Sequence, residues 1–284
     1  YGFHLWNAHT LATSAHQELL FFGFIYGLIL VMFLYNLVIY FSLRDKSHLY
    51  YVIYVLIGGV FLASFRGLAF QYLWPDSPDW HNRTSAVFSA LLQLSLLSFA
   101  RAYLQTKLRT PKMDLVLRGC IGLSVVVILL SLVDTPGLGL QLSTYHLGTV
   151  SLVMFGLSIY LCTQKVTAGY FFAVSFAGPL LSSLFMSIGI SGGENVSAGP
   201  IIPMIEVFGL YGIEFATAMR LSILSVGLAE NINSMRHLTE EMQEEAFKTQ
   251  AEAKENLAFE VARQTSQLRR KGEELNHLNQ QLTE

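Results

Sequence analysis

The sequence predicts an all-α membrane protein, a seven-transmembrane helix bundle followed by a long cytoplasmic coiled-coil helix. Three observations favour this fold class. The 284 residues are 52% hydrophobic and only 13% charged, and a mean hydropathy of +0.45 is high for a soluble domain of this length. Seven apolar runs approach the roughly 20 residues that a helix needs to cross a bilayer. After the last run comes a proline-free polar stretch in which apolar residues recur every seven positions.

The seven apolar runs define the predicted spans. They cover residues 19–42, 49–68, 84–104, 115–133, 143–163, 169–190 and 201–228. We predict three segments: an outer-face juxtamembrane segment (1–18), the seven-transmembrane domain (19–228) and a cytoplasmic signalling helix (229–284). The chain begins at Tyr1 with no basic segment before the first run, so we expect no intact signal peptide and an internal part of a longer protein.

Lysine and arginine are unevenly divided between the two sets of loops, and this predicts the orientation. Only Arg66 and Arg83 follow the second span, and none follows the fourth or the sixth. Basic residues near span ends are retained on the cytoplasmic side. We therefore predict that the N-terminus lies outside and the C-terminal helix inside. The eight basic residues of the predicted inner loops are Arg44, Lys46, Arg101, Lys107, Arg109, Lys112, Arg118 and Lys165.

Two heptad series run along the C-terminal helix in different frames. An a/d seam typical of a coiled coil is formed near the end by Leu257, Val261, Leu268, Leu275, Leu278 and Leu282. An earlier series, leaving the last span, consists of Leu221, Leu228, Met235 and Met242. From Met242 to Val261 is 19 residues, which is not a multiple of seven, so the seam must change face or locally unwind between them. We predict that both series line a parallel homodimer; alternatively, residues 240–255 are simply a solvated helix.

The chain shows no signal for catalysis or cofactor binding. It has no glycine-rich phosphate loop, no His/Cys metal spacing and no nucleophile elbow, so we expect no catalytic residue, cofactor or metal. Cys120 and Cys162 each lie in a predicted span, where we expect them to serve packing. Residues 229–284 carry 11 acidic and 7 basic side chains, and this net charge of −4 argues against nucleic acid as a partner.

Ionisable groups in the last span are the candidate functional residues. Glu206, Glu214 and Arg220 lie within it, and a rise of about 1.5 Å per residue places Glu214 near mid-bilayer. Such groups normally face protein or water. Glu214 and Arg220 are six residues apart and cannot pair on one helix face. Either these groups are polar contacts between packed helices or they have a signalling or ion-coupling role. The candidate partners in other spans are Asn36, Gln93 and His146.

Three motifs resemble those of bacterial seven-transmembrane receptors with diverse intracellular signalling modules. The first is LYNLVIYFSLRDKSHLYY over residues 34–51, the second GLAFQYLWP over residues 67–75, and the third LSVGLAENI over residues 224–232. The resemblance extends over about residues 18–236. In that family the last span often carries Gln at the position of Glu214 and Glu at that of Arg220, so this chain departs from the usual charge pattern.

The resemblance implies a signal-transducing receptor core in the bacterial inner membrane. It also implies an upstream extracytoplasmic sensor domain and a downstream output module. Residues 261–268 are similar to a linker often found before histidine kinase modules, which favours a kinase output over a diguanylate cyclase. The rival interpretation is a transporter or channel subunit that uses Glu206 and Glu214 for ion coupling. We find no internal sequence repeat of the kind that would favour it.

Overall fold

The computed structural model describes residues 8–133, 136–192 and 202–283. Within these residues the fold is entirely helical, without strands. The all-α prediction and the long C-terminal helix are thereby confirmed. The helices are α1 (Ala8–Leu43), α2 (Lys46–Phe65), α3 (Leu68–Tyr72), α4 (Pro78–Tyr103), α5 (Thr106–Arg109), α6 (Pro111–Val133), α7 (Pro136–Thr163), α8 (Thr167–Gly192) and α9 (Ile202–Thr283).

Each predicted span corresponds to one long helix. Among the described residues, α1, α2, α4, α6, α7 and α9 are long and apolar enough to cross a membrane. In α8, the part that can be assessed is the shorter apolar stretch Thr167–Leu181. Helix α2 ends at Phe65, before the predicted end of the second span at residue 68. The short helices α3 and α5 were not predicted.

Helix α4 contacts α2, α6 and α7 and forms the centre of the bundle. Its small residues let neighbouring helices approach, while an aromatic column fills the space between α2, α4 and α8. Phe99 of α4 lies 5.2 Å from Tyr51 and 5.8 Å from Phe172, measured between ring centroids. Tyr103 continues the column at 5.4 Å from Phe99. These rings are fully or almost fully buried, so the column is a large part of the apolar core.

The bundle has two ends, which we name after their main ionic groups. The Arg66 end is where α2 ends and α4 begins, and the Asp114 end is where α4 ends and α6 begins. At the Asp114 end, the buried Asp114 carboxylate accepts bonds from Arg101 Nε (2.8 Å), Arg118 Nε (2.8 Å) and Thr106 Oγ1 (2.7 Å). One carboxylate therefore joins α4, α5 and α6, and two arginines that sequence analysis counted only as loop charges stabilise the fold.

Three tight turns at the Asp114 end contain a residue in the left-handed region. These are Arg44 (φ 53°), Gln105 (φ 50°) and Lys165 (φ 57°), none of which is glycine. After the first of them, Asp45 caps α2 by accepting a bond from the Ser47 amide at 3.1 Å. N-terminal capping of this kind satisfies an otherwise unpaired backbone donor. It accounts for the Arg-Asp-Lys-Ser segment of the first motif.

The chain divides into two compact units, residues 1–229 and residues 230–284. The first contains the helix bundle. In the second, every side chain that the structure describes between residues 233 and 275 is exposed. Helices in proteins gain most of their stability from packing an apolar face, and in this unit Leu238, Leu257, Leu268 and Leu275 are exposed.

Replacing Asp114 with alanine should lower the free energy of unfolding by about 2–4 kcal/mol, because Arg101 and Thr106 lose a buried acceptor. Reversible unfolding in mixed detergent micelles measures the change. Asp79→Ala is the matched control, since Asp79 is exposed in the first turn of α4 and its loss should cost below about 1 kcal/mol. Equal losses in the two variants would contradict a structural role for Asp114.

Candidate functional site

The candidate site is the set of polar contacts that hold the membrane part of α9. Five groups on α9 between residues 211 and 227 bond to side chains of α1, α4 or the region of α2. In hydrocarbon, a helix carrying such groups must find their partners inside the protein. These contacts fix the depth and the rotation of α9 in the bundle.

Glu214 forms an ion pair with Arg66 at the Arg66 end. Its carboxylate side chain is 1% exposed, whereas the Arg66 side chain is 24% exposed. Arg66 Nε donates to Glu214 Oε1, and the guanidinium carbon lies 5.0 Å from the Phe22 ring centroid. Arg66 is the first residue after α2, and Gly67 at φ 77° turns the chain there. This arrangement returns the guanidinium to the bundle.

The depth and the predicted partners of Glu214 need correction. Glu214 lies near the end of the bundle rather than halfway along it, because Arg66 ends α2 and the nearby Tyr211 hydroxyl donates to Glu18 of α1 at 3.0 Å. The predicted depth of Glu214 came only from the rise per residue along the last span and took no account of where the neighbouring helices end. None of Asn36, Gln93 and His146 is its partner in the structure. Sequence analysis missed Arg66 because it counted this residue with the outer-loop charges, although the predicted second span extended to residue 68.

The three residues predicted as partners have other environments. Asn36 Nδ2 donates to Ser225 Oγ of α9 at 2.8 Å, so Asn36 does contact the last span. His146 Nε2 lies 2.7 Å from Ser124 Oγ, which joins α7 to α6. Gln93 is buried in α4, and neither atom of its amide has a hydrogen-bond partner. Of these three, only Asn36 belongs to the site.

Two buried phenols bond to the backbone of α9. The Tyr51 hydroxyl of α2 donates to the carbonyl of Leu221, and the Tyr103 hydroxyl of α4 donates to the carbonyl of Gly227 at 2.7 Å. Buried tyrosines usually place their hydroxyl on such an acceptor. Because their acceptors are backbone carbonyls, these bonds depend on the position of the α9 backbone and not on any side chain of α9. No motif in the sequence indicates them.

Arg220 is buried on α9, and among the described residues it forms no salt bridge. Its guanidinium carbon lies 5.3 Å from the Phe176 ring centroid of α8, and Nε has no hydrogen-bond acceptor. The aromatic ring provides a cation–π contact in place of the carboxylate that such a group usually has. Glu206 lies on α9, but its side chain is outside the part that the structure describes.

The residues of the predicted dimer seam fall into three groups. Leu221 and Leu228 are fully buried inside the bundle, so the prediction that they line a dimer seam is wrong. A seven-residue period suits a helix packed in a bundle as well as one in a coiled coil, and the sequence does not separate the two. The side chains of Leu278 and Leu282 are outside the described part. The seam residues that are exposed are Met235, Met242, Leu257, Val261, Leu268 and Leu275.

Close packing also holds α9 against α8. A Cβ atom built on Gly227 would lie 2.7 Å from Phe171 Cγ, a distance that no real contact allows. Gly227 also accepts the bond from Tyr103. This glycine therefore lets α9 approach α8 and α4 at the same level. The described residues contain no group of three His, Cys, Asp or Glu side chains that could hold a metal ion.

Removing Arg66 should be more damaging than removing Glu214. Arg66→Gln leaves a buried carboxylate unpaired and should cost about 3–5 kcal/mol. Glu214→Gln should cost about 1–2 kcal/mol, since the partly exposed Arg66 can turn to solvent. The double variant should resemble Glu214→Gln, as a double-mutant cycle in mixed micelles would measure. Arg83→Gln is the control: it changes another basic residue at the same end and removes an exposed bond to the Leu132 carbonyl, so its loss should be smaller than that of Arg66→Gln. Similar losses from Arg66→Gln and Glu214→Gln would exclude this pair as described.

Gly227→Ala should lower the free energy of unfolding by about 1–3 kcal/mol, because the methyl group overlaps the Phe171 ring. Adding Phe171→Ala should recover part of this loss by removing the ring. Gly156→Ala in α7 is the control, since a Cβ there meets no atom within 4 Å, and it should be neutral or slightly stabilising. Thermal unfolding in detergent compares the three variants. A neutral Gly227→Ala would contradict the close approach.

Comparison with the curated proteins and with the solved structures found no match. Comparison with protein families matched residues 18–231 to the family described as 7TM diverse intracellular signalling. The match covers the whole candidate site. It makes the matched part a sensory or receptor domain rather than a catalytic one, and the long apolar helices make the chain a multi-pass membrane protein. The chain belongs to the 7TM diverse intracellular signalling family.

Proposed function

We propose that the chain is the transmembrane relay of a bacterial receptor. An upstream extracytoplasmic sensor domain receives a ligand, and α9 carries the resulting displacement to a downstream output module. The output is a histidine kinase, with a diguanylate cyclase as the alternative. The chain works as a parallel homodimer through the C-terminal helix, in the inner membrane, with its N-terminus outside. The observation that carries the proposal is that α9 spans Ile202–Thr283 as one helix.

The contacts of α9 suit a helix whose position carries the signal. Its partners come from several elements: Arg66 after α2, Tyr51 in α2, Asn36 in α1 and Tyr103 in α4. Each bond is directional, so an axial shift or a rotation of α9 must break several of them together. Cores and interfaces held in this way favour discrete arrangements over gradual deformation. A ligand signal would select between two such arrangements.

The charges at the two ends support the proposed orientation. Asp114 binds Arg101 and Arg118 at the end where eight basic residues were counted. Under the positive-inside rule this end is cytoplasmic. The Arg66 end is then outside, where the upstream sensor domain would act on α1. Glu18 near the start of that span bonds to Tyr211 of α9, which gives α1 a direct connection to the helix that leaves the bundle.

The pairing of Glu214 argues against an ion-coupling role. A coupling carboxylate must exchange its cation, whereas the Arg66 guanidinium already neutralises Glu214 and two aromatic rings lie near it. Polar groups inside membranes often serve to hold helices together. Ion flux in proteoliposomes that disappears in Glu214→Ala would overturn this assignment in favour of a transporter or channel.

Insertions between Met242 and Val261 test the relay. The chain is joined through its own C-terminal helix to the catalytic core of a histidine kinase, and autophosphorylation is measured in membranes. Seven inserted residues preserve the heptad frame and should leave the kinase activity close to that of the parent. Four inserted residues shift the frame and should change it strongly.

The two insertions use the same residue types, so helix propensity is matched. Equal kinase activity in the two insertion variants would contradict a relay through helix position.

A further inference from the structure

One face of α9 in the membrane is left uncovered by the part of the bundle that the structure describes. Phe215 and Val226 are exposed there, and Met219, Ser222 and Ala229 between and beyond them are partly exposed. These five positions follow one another at steps of four, three, four and three residues, the spacing of a heptad seam. Successive residues of a helix are about 100° apart. The bundle-facing Leu221 is therefore well separated around the helix from Val226.

The uncovered face is in the same heptad frame as the seam near the C-terminus. Val226 and Val261 are 35 residues apart, and Phe215 and Leu257 are 42 residues apart, which are whole numbers of heptads. Leu228 and Val261 are 33 residues apart, so the buried series is out of this frame. One frame can thus run from residue 215 to residue 282 without a break, whereas Leu221 and Leu228 of the other series pack inside the bundle.

Residues between the two parts fit a single weak seam. The a and d positions from 233 to 254 carry one apolar residue, the exposed Phe247, so this segment adds little stability. Farther along, Ala251, Ala253 and Ala258 occupy e and g positions beside Leu257, where small side chains permit close approach. Two salt bridges within the helix lie off the a and d positions: Lys248 with Glu244 at 2.7 Å and Arg269 with Glu273 at 3.1 Å.

We propose that a second copy of this chain packs along the uncovered face of α9, parallel to the first, with Phe215, Met219, Ser222, Val226 and Ala229 in the membrane part of the interface. The inference rests on the proposed homodimer and names its membrane surface. Small residues in such an interface allow helices to approach in lipid. The Ser222 hydroxyl already donates to the Ala218 carbonyl at 2.9 Å, so it can face a partner helix without an unpaired donor.

The same helix then has two different surfaces, and each has its own partner. The buried face contacts α1, α2, α4 and α8 of its own chain, and the uncovered face contacts α9 of the second copy. A displacement of α9 in its bundle changes the dimer interface directly. No change of seam between residues 242 and 261 is needed.

Disulfide cross-linking of three valines tests the interface. In a chain carrying Cys120→Ala and Cys162→Ala, single changes Val226→Cys, Val38→Cys and Val126→Cys are oxidised in membranes with copper phenanthroline. The three valines are 58%, 68% and 48% exposed. Val38 on α1 matches Val226 in depth, since Asn36 bonds to Ser225, and it tests the exposed face of α1 as a rival interface. Val126 reports random collision from α6.

Leu268→Cys in the C-terminal helix reports on the proposed dimer independently. We expect Val226→Cys and Leu268→Cys to give cross-linked dimers, several-fold above Val38→Cys and Val126→Cys. If the Leu268→Cys variant cross-links and the Val226→Cys variant does not, the membrane interface is overturned and the proposed dimer stands. Strong cross-linking of Val38→Cys, or equal cross-linking of all three valine variants, would also overturn it.

Absence of cross-linking in every variant, Leu268→Cys included, would reject the dimer itself and the inference with it. Ala229→Cys, on the same uncovered face, replaces Val226→Cys if that variant fails to fold.

Discussion

A buried carboxylate on the last membrane helix needs a positive partner, and the structure of the Arg66 end provides one. Glu214 is shielded from solvent, and an unpaired charge there would be expensive in a low-dielectric interior. The structure meets this requirement by ending α2 at Phe65 and turning the chain at Gly67, so that Arg66 points back to α9. Aromatic rings of α1 and α9 lie near the guanidinium. One charge pair thereby fixes the relative positions of three helices at one end of the bundle.

The remaining contacts of α9 depend on that alignment. Once Glu214 is placed, Leu221, Ser225 and Gly227 reach Tyr51, Asn36 and Tyr103 at successive levels toward the Asp114 end. These donors come from three different helices, so α9 is held by the bundle as a whole rather than by one neighbour. Arg220 is the exception, since it has an aromatic ring in place of an acceptor.

Hydropathy predicted the helices well and their contacts poorly, for different physical reasons. A span is recognised from residues close in sequence, because the bilayer imposes a length and an apolar composition. The partner of Glu214 depends on where α2 ends in space, and Arg66 looks like an ordinary loop charge in sequence. Asn36 contacts the last span, but the sequence gives it no preference over Gln93. A seven-residue repeat is also ambiguous, because Leu221 and Leu228 repeat at this spacing while packing inside the bundle of their own chain.

The left-handed residues at the Asp114 end have a mechanical consequence. Arg44, Gln105 and Lys165 sit in turns only a few residues long, and backbone in that region has little freedom to rearrange. These short turns join α1 to α2, α4 to α5 and α7 to α8. The turns therefore keep the ends of these paired helices close together. Helix α9 continues to Thr283 as one helix, so in the proposed relay a displacement of α9 would take place against helices that short turns join to one another.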